Sequence, residues 1–299
     1  MNSEEGEKAK LKTIGKPPSQ RELDEHMATH IPFRTWCKHC ISGRGQSDHH
    51  RKQLDKGDQE IPTISIDYAF MNSKEADEAS QPIIVLKDRR SGTIKAHLVE
   101  EKGVNAYAIK RIGQDIGLLG YKRIILKSDN EPAIIALKDA IKQERSEEII
   151  KEESPVGESA SNGEIENAIK QVEGQLRTIK SSLEQRYGEK LAPTHMSVPW
   201  LVRHSAELID RYSIGHDGRT NYQRRKGKKF GTNTVEFAEA IMYLIPKSIG
   251  RDKFDSRWAN GIWLGIREES GEHIIGTIDG VVKARTIKRM ELSTERWNK

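Results

Sequence analysis

Along ISIDYAF, Ile64, Ile66, Tyr68 and Phe70 alternate with Ser65, Asp67 and Ala69, a period of two that predicts a strand. QPIIVLKD and TIKAHLVE predict two more strands, parted by the turn residues Arg90, Ser91 and Gly92, so the three make a meander. The spacing then changes to that of a helix: Val104, Ala108, Ile112, Ile116 and Leu119 recur on one face, and Gly120 stands where a C-cap belongs. YKRIILKSD predicts a fourth strand ending at Asp129, and Pro132 opens a helix whose buried stripe is Ile134, Leu137 and Ile141. The order is βββαβα, with EEIIKEE as a short last strand and SPVGESASNG as a loop. The clearest helix follows, its apolar face traced by Ile165, Ala168, Ile169, Val172, Leu176, Ile179 and Leu183, its polar face by Glu166, Lys170, Glu173 and Arg177. Another runs from Val198 to Tyr212 behind a Ser197 cap. Beyond the basic RTNYQRRKGKKF, short strands in GIWLGI, EHIIGTI and VVKARTI, with Asp279-Gly280 as a two-residue hairpin turn, predict a small β-barrel or curled sheet.

These patterns divide the chain into a polar arm over 1–20, a compact Cys- and His-bearing stretch over 21–50, and an α/β core over 58–215. A basic linker over 216–232 and a small β domain over 233–295 complete it. LDKGDQE links the second unit to the third. Charged residues make up 32% of the chain and apolar ones 35%, enough of each for packed domains with a solvated surface. The longest apolar runs, IIVL at 83–86 and IIAL at 134–137, fall far short of the roughly 18 residues that cross a bilayer. MNSEEGEKAKLK is charged where a signal peptide would be apolar, so the expectation is a soluble protein that is not secreted and has no membrane partner. The only cysteines, Cys37 and Cys40, exclude a disulfide framework and point to metal binding or a redox pair.

Asp67 and Asp129 lie on or at the end of predicted strands within apolar segments, and Glu166 opens the strongest helix. Carboxylates near a core are costly unless a cation offsets their desolvation. Two divalent metals about 4 Å apart, flanked by three carboxylates, would do so and would activate a water or hydroxyl for in-line attack on phosphate. Any one of the 45 acids is by itself an ordinary surface residue; the joint placement is what suggests a site.

His26 and His30 are spaced i, i+4, and Cys37 and Cys40 form a Cys-x-x-Cys knuckle, so four ligands can converge tetrahedrally on one closed, structural zinc. His39, His49 and His50 are alternative ligands, and scattered histidines beside a reduced Cys pair is the plainer alternative. Arg224, Arg225, Lys226, Lys228 and Lys229 form a basic run, with Lys283, Arg285, Lys288 and Arg289 further on. Cations of this kind favour nucleic acid by releasing counterions, although a charge run is also simply a solvated face. Lys170 and Arg177 stand on the polar side of the Glu166 helix, where they could hold a DNA end, with Glu173 opposing them.

SIDYAF, then SDNE after 61 intervening residues, then NGEIE after 36 more, resembles the D, D, E triad of retroviral and retrotransposon integrases. That family has a ribonuclease-H-like core of the same βββαβα order. Within it the sequence is most similar to integrases of copia-type LTR retrotransposons, because Asn162, Gly163 and Glu166 fit an N-G-x-x-E frame. Glu164 is the competing third acid; Glu166 fits the frame and shares a helix face with Lys170. Glu131 stands where the family often has Gly, an extra acid beside Asp129 that can perturb metal occupancy. The family's HHCC zinc module supports the ligand set His26, His30, Cys37 and Cys40. Only six residues separate His30 from Cys37, however, so the retroviral helical bundle cannot be copied here.

The resemblance implies a mixed five-stranded sheet with flanking helices, preceded by a zinc module and followed by a small β-barrel. It implies two Mg²⁺ or Mn²⁺ ions held by Asp67, Asp129 and Glu166, catalysing 3′-end processing and strand transfer of retroelement DNA into target DNA. The loop from Ser154 to Gly163 would be the mobile element that closes on DNA. The partners implied are double-stranded DNA, both element ends and target, and further copies of the chain in a homo-oligomer. The protein would be made in the cytoplasm, within a polyprotein, and act in the nucleus. Two other classes stay open: a degenerate or domesticated integrase that only binds nucleic acid, and a ribonuclease-H-like nuclease, which needs neither the HHCC module nor the basic β domain.

Overall fold

The computed structural model describes residues 17–44, 61–71, 81–154, 162–246 and 254–297. The arm up to residue 16, the LDKGDQE linker, His49, His50 and residues 155–161 of the loop before the Glu166 helix lie outside them.

Two short helices, α1 (Gln20–Thr29) and α2 (Lys38–Arg44), precede the core. Ser19 starts α1 with a capping box, its hydroxyl accepting from the Glu22 N–H while the Glu22 carboxylate accepts from the Ser19 N–H. The core sheet contains β1 (Thr63–Phe70), β2 (Pro82–Asp88), β3 (Ile94–Leu98), β4 (Arg123–Ser128) and β5 (Glu148–Glu153) in the order β3-β2-β1-β4-β5. The first three strands pair antiparallel, while β4 and β5 run parallel to β1, giving the mixed five-stranded sheet with flanking helices that the βββαβα order predicts. EIIKEE is therefore a full member of the sheet.

Alternation along β1 sorts its side chains between two cores. Ile64, Ile66 and Tyr68 pack beneath α3 (Ala106–Leu119) and α4 (Pro132–Glu144) with Ile112, Ile116, Leu137 and Ile141. Ala69 joins Val85 and Ile83 on the other face, under α5 (Gly163–Tyr187) and α6 (Val198–Tyr212). The stripe Ile165, Ala168, Val172, Leu176, Ile179 and Leu183 is buried there. Each such aliphatic side chain contributes about 1.5–3 kcal/mol by leaving water, which ties the long α5 to the sheet. Asn105 caps α3 by accepting from the Tyr107 and Ala108 N–H groups at 2.8 and 3.2 Å, and Gly120, at φ +75°, ends it. Ser197 does precede α6, but its hydroxyl lies 2.8 Å from His195 Nδ1 and makes no cap.

The basic stretch expected to be a linker contains α7 (Asn221–Lys226), which has its own Thr220–Gln223 capping box and packs against α6. A second sheet follows: β6 (Ala240–Leu244), β7 (Trp258–Ile266), β8 (His273–Thr277), β9 (Gly280–Ala284) and β10 (Ile287–Arg289), all antiparallel in the order β10-β6-β7-β8-β9, before a final turn α8 (Ser293–Arg296). Among the described residues the pairing does not close into a barrel. VVKARTI splits between two strands, because β10 leaves β9 to pair with β6 across the sheet. The hairpin turn is Ile278-Asp279, one residue earlier than expected: Thr277 pairs with Gly280, which takes the positive φ of +125° as the first strand residue.

The small sheet is anchored to the core by buried charge. Lys95 on β3 lies 2.8 Å from Glu268, just after β7, and 3.8 Å from Asp210 on α6. Arg225 on α7 reaches Asp210 at 2.9 Å and also pairs with Glu268. Four elements thus meet at one desolvated cluster whose charges offset one another.

Candidate functional site

The parallel register Thr63↔Ile125, Ile64↔Leu126, Ser65↔Lys127 carries forward at the same offset to bring Asp67 level with Asp129, just past the end of β4. Asp67 is half-buried, and its Oδ1 accepts from the Tyr68 N–H at 2.7 Å. Burial pushes its carboxyl up to about 6; the Tyr68 N–H opposes this, Asp129 and Glu131 add to it by repulsion, and Lys102 pulls the other way. Asp129 Oδ1 accepts from the Glu131 N–H at 3.2 Å, an Asx turn that launches α4. Glu131 is held by the Lys102 ammonium at 2.9 and 3.1 Å, and that ammonium lies 4.9 Å from the Phe70 ring centre. The extra acid of SDNE therefore carries its own counter-cation. Lys102, from a loop that looks merely polar in sequence, gave no signal beforehand.

Glu166 sits in the first turn of α5 and is exposed. Its neighbour Glu164 points to the far end of β2, where it pairs with Arg89 at 3.3 Å and faces Lys87, a buried amine lowered to about 8 mainly by desolvation. Glu173, two turns along from Glu166, lines a cleft of about 510 Å³ with Phe70 and Met71 at the end of β1. Asp67 and Asp129 are neighbours, and the start of α5 is tied to the same end of the sheet: Asn162 bonds the Ser154 hydroxyl, and the Ser154 carbonyl accepts from the Asn130 amide at 2.7 Å.

The His/Cys group does converge. His26, in the last turn of α1, His30, its left-handed C-cap at φ +54°, Cys37 and Cys40 are all buried, and their ligand atoms lie within 4.8 Å of one another. Cys40 Sγ is 3.4 Å from His26 Nε2 and 4.0 Å from His30 Nδ1, and Cys37 Sγ is 3.6 Å from His30 Nδ1. A tetrahedron with zinc–sulfur and zinc–nitrogen arms has edges of about 3.3–3.8 Å, so the donor set and its spacing fit that ion. The Cys40 thiol is driven far down, chiefly by the hydrogen bond from Cys37 and further by His26 and His30. Arg44 also donates to Cys40 Sγ at 3.2 Å. His39 takes no part; its Nδ1 meets Ser181 Oγ at 2.8 Å.

The module rests on the middle of α5. Gly43 approaches Thr178 so closely that a Cβ would fall 2.2 Å from its Oγ1, and Gln175 donates to the Thr29 carbonyl at 2.6 Å.

The cations expected to meet DNA have different surroundings. Lys170, Lys226, Lys228 and Lys229 are exposed. Arg177 lies 3.5 Å from Glu173 and 3.4 Å from the Gly43 carbonyl. Arg224 is clamped by Asp217 at 2.6 and 2.9 Å. Arg225, expected to meet DNA, has its side chain 4% exposed between Asp210 and Glu268, where it neutralises protein carboxylates. Arg289 is likewise engaged by Glu239 at 2.6 and 2.7 Å. A contiguous run in sequence is thus split by helical geometry, with Arg225 on the inward side of α7.

No described helix is long and apolar enough to cross a membrane. No family model matches the chain, and no curated protein matches it. Among solved structures it is similar to the simian T-cell lymphotropic virus intasome in complex with PP2A regulatory subunit B56 gamma, at 14% identity and a TM-score of 0.42, covering 90% of this chain and 98% of that one. It is also similar to the HTLV-2 integrase catalytic core domain in complex with magnesium (15% identity, TM-score 0.40, 56% of this chain and 98% of that one). The BIV integrase catalytic core domain is a third neighbour (18% identity, TM-score 0.37, 55% and 93%).

Proposed function

We propose that the chain is an integrase-type polynucleotidyl transferase of the copia retrotransposon class, which processes 3′ ends of element DNA and joins them to target DNA. The observation that carries this reading is the placement of Asp67 on β1 beside Asp129, just past β4, with the Asp67 carboxyl held up to about 6 by burial and by its acidic neighbours. Two carboxylates under such repulsion suit a divalent cation, and Asp67, Asp129 and Glu166 would hold one or two Mg²⁺ or Mn²⁺ ions. Bound there, the ions supply an activated water or 3′-hydroxyl and a charged seat for the leaving oxygen.

The chain's own groups prepare that site. The Tyr68 N–H fixes Asp67 Oδ1, and the Glu131 N–H fixes Asp129 Oδ1, so both carboxylates are oriented before any ligand arrives. Lys102 holds Glu131, which keeps the extra acid from competing for the cations. Asp67 must release its proton for the pair to act as ligands. Glu166, in the first turn of α5, would complete the ligand set, and Lys170 one turn further on would meet the DNA end. One structural zinc on His26, His30, Cys37 and Cys40 would fix the first module to α5. Lys226, Lys228 and Lys229 would contact duplex phosphates, and further copies of the chain would assemble on paired DNA ends in the nucleus.

A second reading is a degenerate integrase that only binds nucleic acid, which the exposed cations Lys226, Lys228 and Lys229 suit without any chemistry at the aspartates. The test is Mg²⁺- or Mn²⁺-dependent joining of element-end duplexes to plasmid by the wild type, Glu166→Gln and Glu164→Gln. Joining by the wild type and Glu164→Gln but not Glu166→Gln supports the transferase and its third acid. Binding without joining under either metal favours the degenerate module.

A further inference from the structure

Away from the acidic pair, a cleft of about 360 Å³ opens between α3, α6 and the face of the small sheet. Its floor is apolar, built by Trp200, Ile274 and Val281, and its rim is basic. Arg203 and Arg267 are already committed, to Glu207 at 2.8 Å and to Glu269 at 3.1 Å. Lys110 and Lys283 are exposed and have no carboxylate partner among the described residues, and they face the cleft from opposite walls, one from α3 and one from β9. Arg111 adds a third cation without an acid; its guanidinium lies 5.3 Å from the Tyr107 ring centre, and that ring is itself 43% exposed at the cleft. Glu269 is the one acid of the lining, and Arg267 neutralises it. The net excess of positive charge is therefore carried by Lys110, Arg111 and Lys283.

We infer that this cleft binds an unpaired segment of a nucleic-acid strand, one base lying against Tyr107 and the apolar floor, with the flanking phosphates held by Lys110, Arg111 and Lys283. Three features argue for a strand. Its volume is in the range of a small-ligand pocket, about right for one nucleotide. An exposed aromatic ring beside unpaired cations is the pairing by which single strands are held without sequence preference. The lining joins the core, through α3 and α6, to the small sheet, through Ile274, Val281 and Lys283, so a strand held there would touch both. This surface is separate from the run at Lys226 to Lys229 and uses none of the proposed metal ligands; it rests on the nucleic-acid part of the proposed function and not on its chemistry.

The test is fluorescence anisotropy of a labelled oligothymidylate with the full chain, without added divalent metal, over a range of salt. It compares the wild type with Lys110→Glu/Lys283→Glu, the milder Lys110→Gln/Lys283→Gln, and Tyr107→Ala. At low salt the charge-reversal pair is expected to weaken binding at least tenfold, the glutamine pair to lower the salt slope by about 1.4, and Tyr107→Ala to weaken binding at least fivefold. Unchanged affinity and slope in both lysine pairs, with circular dichroism matching the wild type, would overturn the inference. So would displacement of the oligonucleotide by inorganic tripolyphosphate at equal phosphate concentration, which would make the cleft a site for free polyphosphate. Assaying joining by the same wild-type preparation with Mg²⁺ or Mn²⁺ separates the two readings. Cleft binding by a wild type that joins no DNA would leave this inference standing while the transferase reading falls. Joining that persists while the lysine pairs bind like the wild type would remove this one alone.

Discussion

Asp67 shows how much one residue's surroundings decide. Its carboxyl, at about 6 in the folded chain against 3.8 ordinarily, favours the folded state least when ionised. The penalty is absent below about pH 3.8, grows as pH rises, and is complete above pH 6. Asp67→Asn should therefore raise the stability of the protein without added Mg²⁺ or Mn²⁺ at pH 7, by at most about 3 kcal/mol, while abolishing joining. Urea titration at pH 7 and pH 4 checks this: a gain that fails to shrink at pH 4 would count against burial as its cause. Gly43 is a second such residue. Gly43→Ala places a methyl 2.2 Å from Thr178 Oγ1 and 2.8 Å from its backbone nitrogen, so it should cost about 1–3 kcal/mol, read as a lowered melting temperature. Thr178→Ala in the same chain should restore only part, since the backbone contact remains. Neither effect is visible in sequence, where Asp67 is one acid among 45 and Gly43 one glycine among 24.

The elements differ in how much of their stability is their own. The 25-residue α5 carries a continuous apolar stripe, and its bounds follow from that stripe and from Gly188 at φ +70°. The 10-residue α1 and 7-residue α2 are too short to persist alone and depend on their ligands and on α5. Removing metal with a strong chelator should release about one zinc per chain and expose residues 17–44 to protease while the core sheet stays protected. A purified, metal-free protein with an unaltered digestion pattern would contradict the zinc assignment. The sequence indicated the ligands because His-x₃-His and Cys-x₂-Cys are local spacings. It did not indicate that His30 leaves the helix as a left-handed cap, or that Gly43 and Gly174 let the module settle on α5, since both depend on contacts distant in sequence.

At the scale of the whole molecule, the small sheet is fastened to the core through Glu268, while Glu207 ties Arg203 and Arg211 within α6 and the Arg211 guanidinium donates to the Ile266 carbonyl at 3.2 Å. Both glutamates are held down to about 2, against burial, by cations: Lys95 and Arg225 for Glu268, Arg203 and Arg211 for Glu207. For carboxyls lowered in this way the stabilisation is full above the ordinary value of about 4.5 and disappears as pH falls toward 2. Protection factors of the β7 and β8 amides, exchange rates divided into their intrinsic rates at each pH, should thus fall between pH 4.5 and pH 2, and Glu268→Gln should flatten that dependence; an equal response in the variant would remove Glu268 from the clasp. What the sequence by itself determined is what repeats locally: the βββαβα order, the α5 and α6 stripes, the four convergent His and Cys donors, and one acid on β1 with another just past β4. The tertiary structure decided which charges face which. It buried Arg225, gave Glu131 to Lys102, tied the start of α5 to the end of β5 through Asn162 and Ser154, and opened a basic cleft between α3 and β9. Hydrophobic periodicity is written within a few turns or strands, whereas the partner of a charge is set by the approach of segments from 15 to 173 residues apart, which no local pattern records.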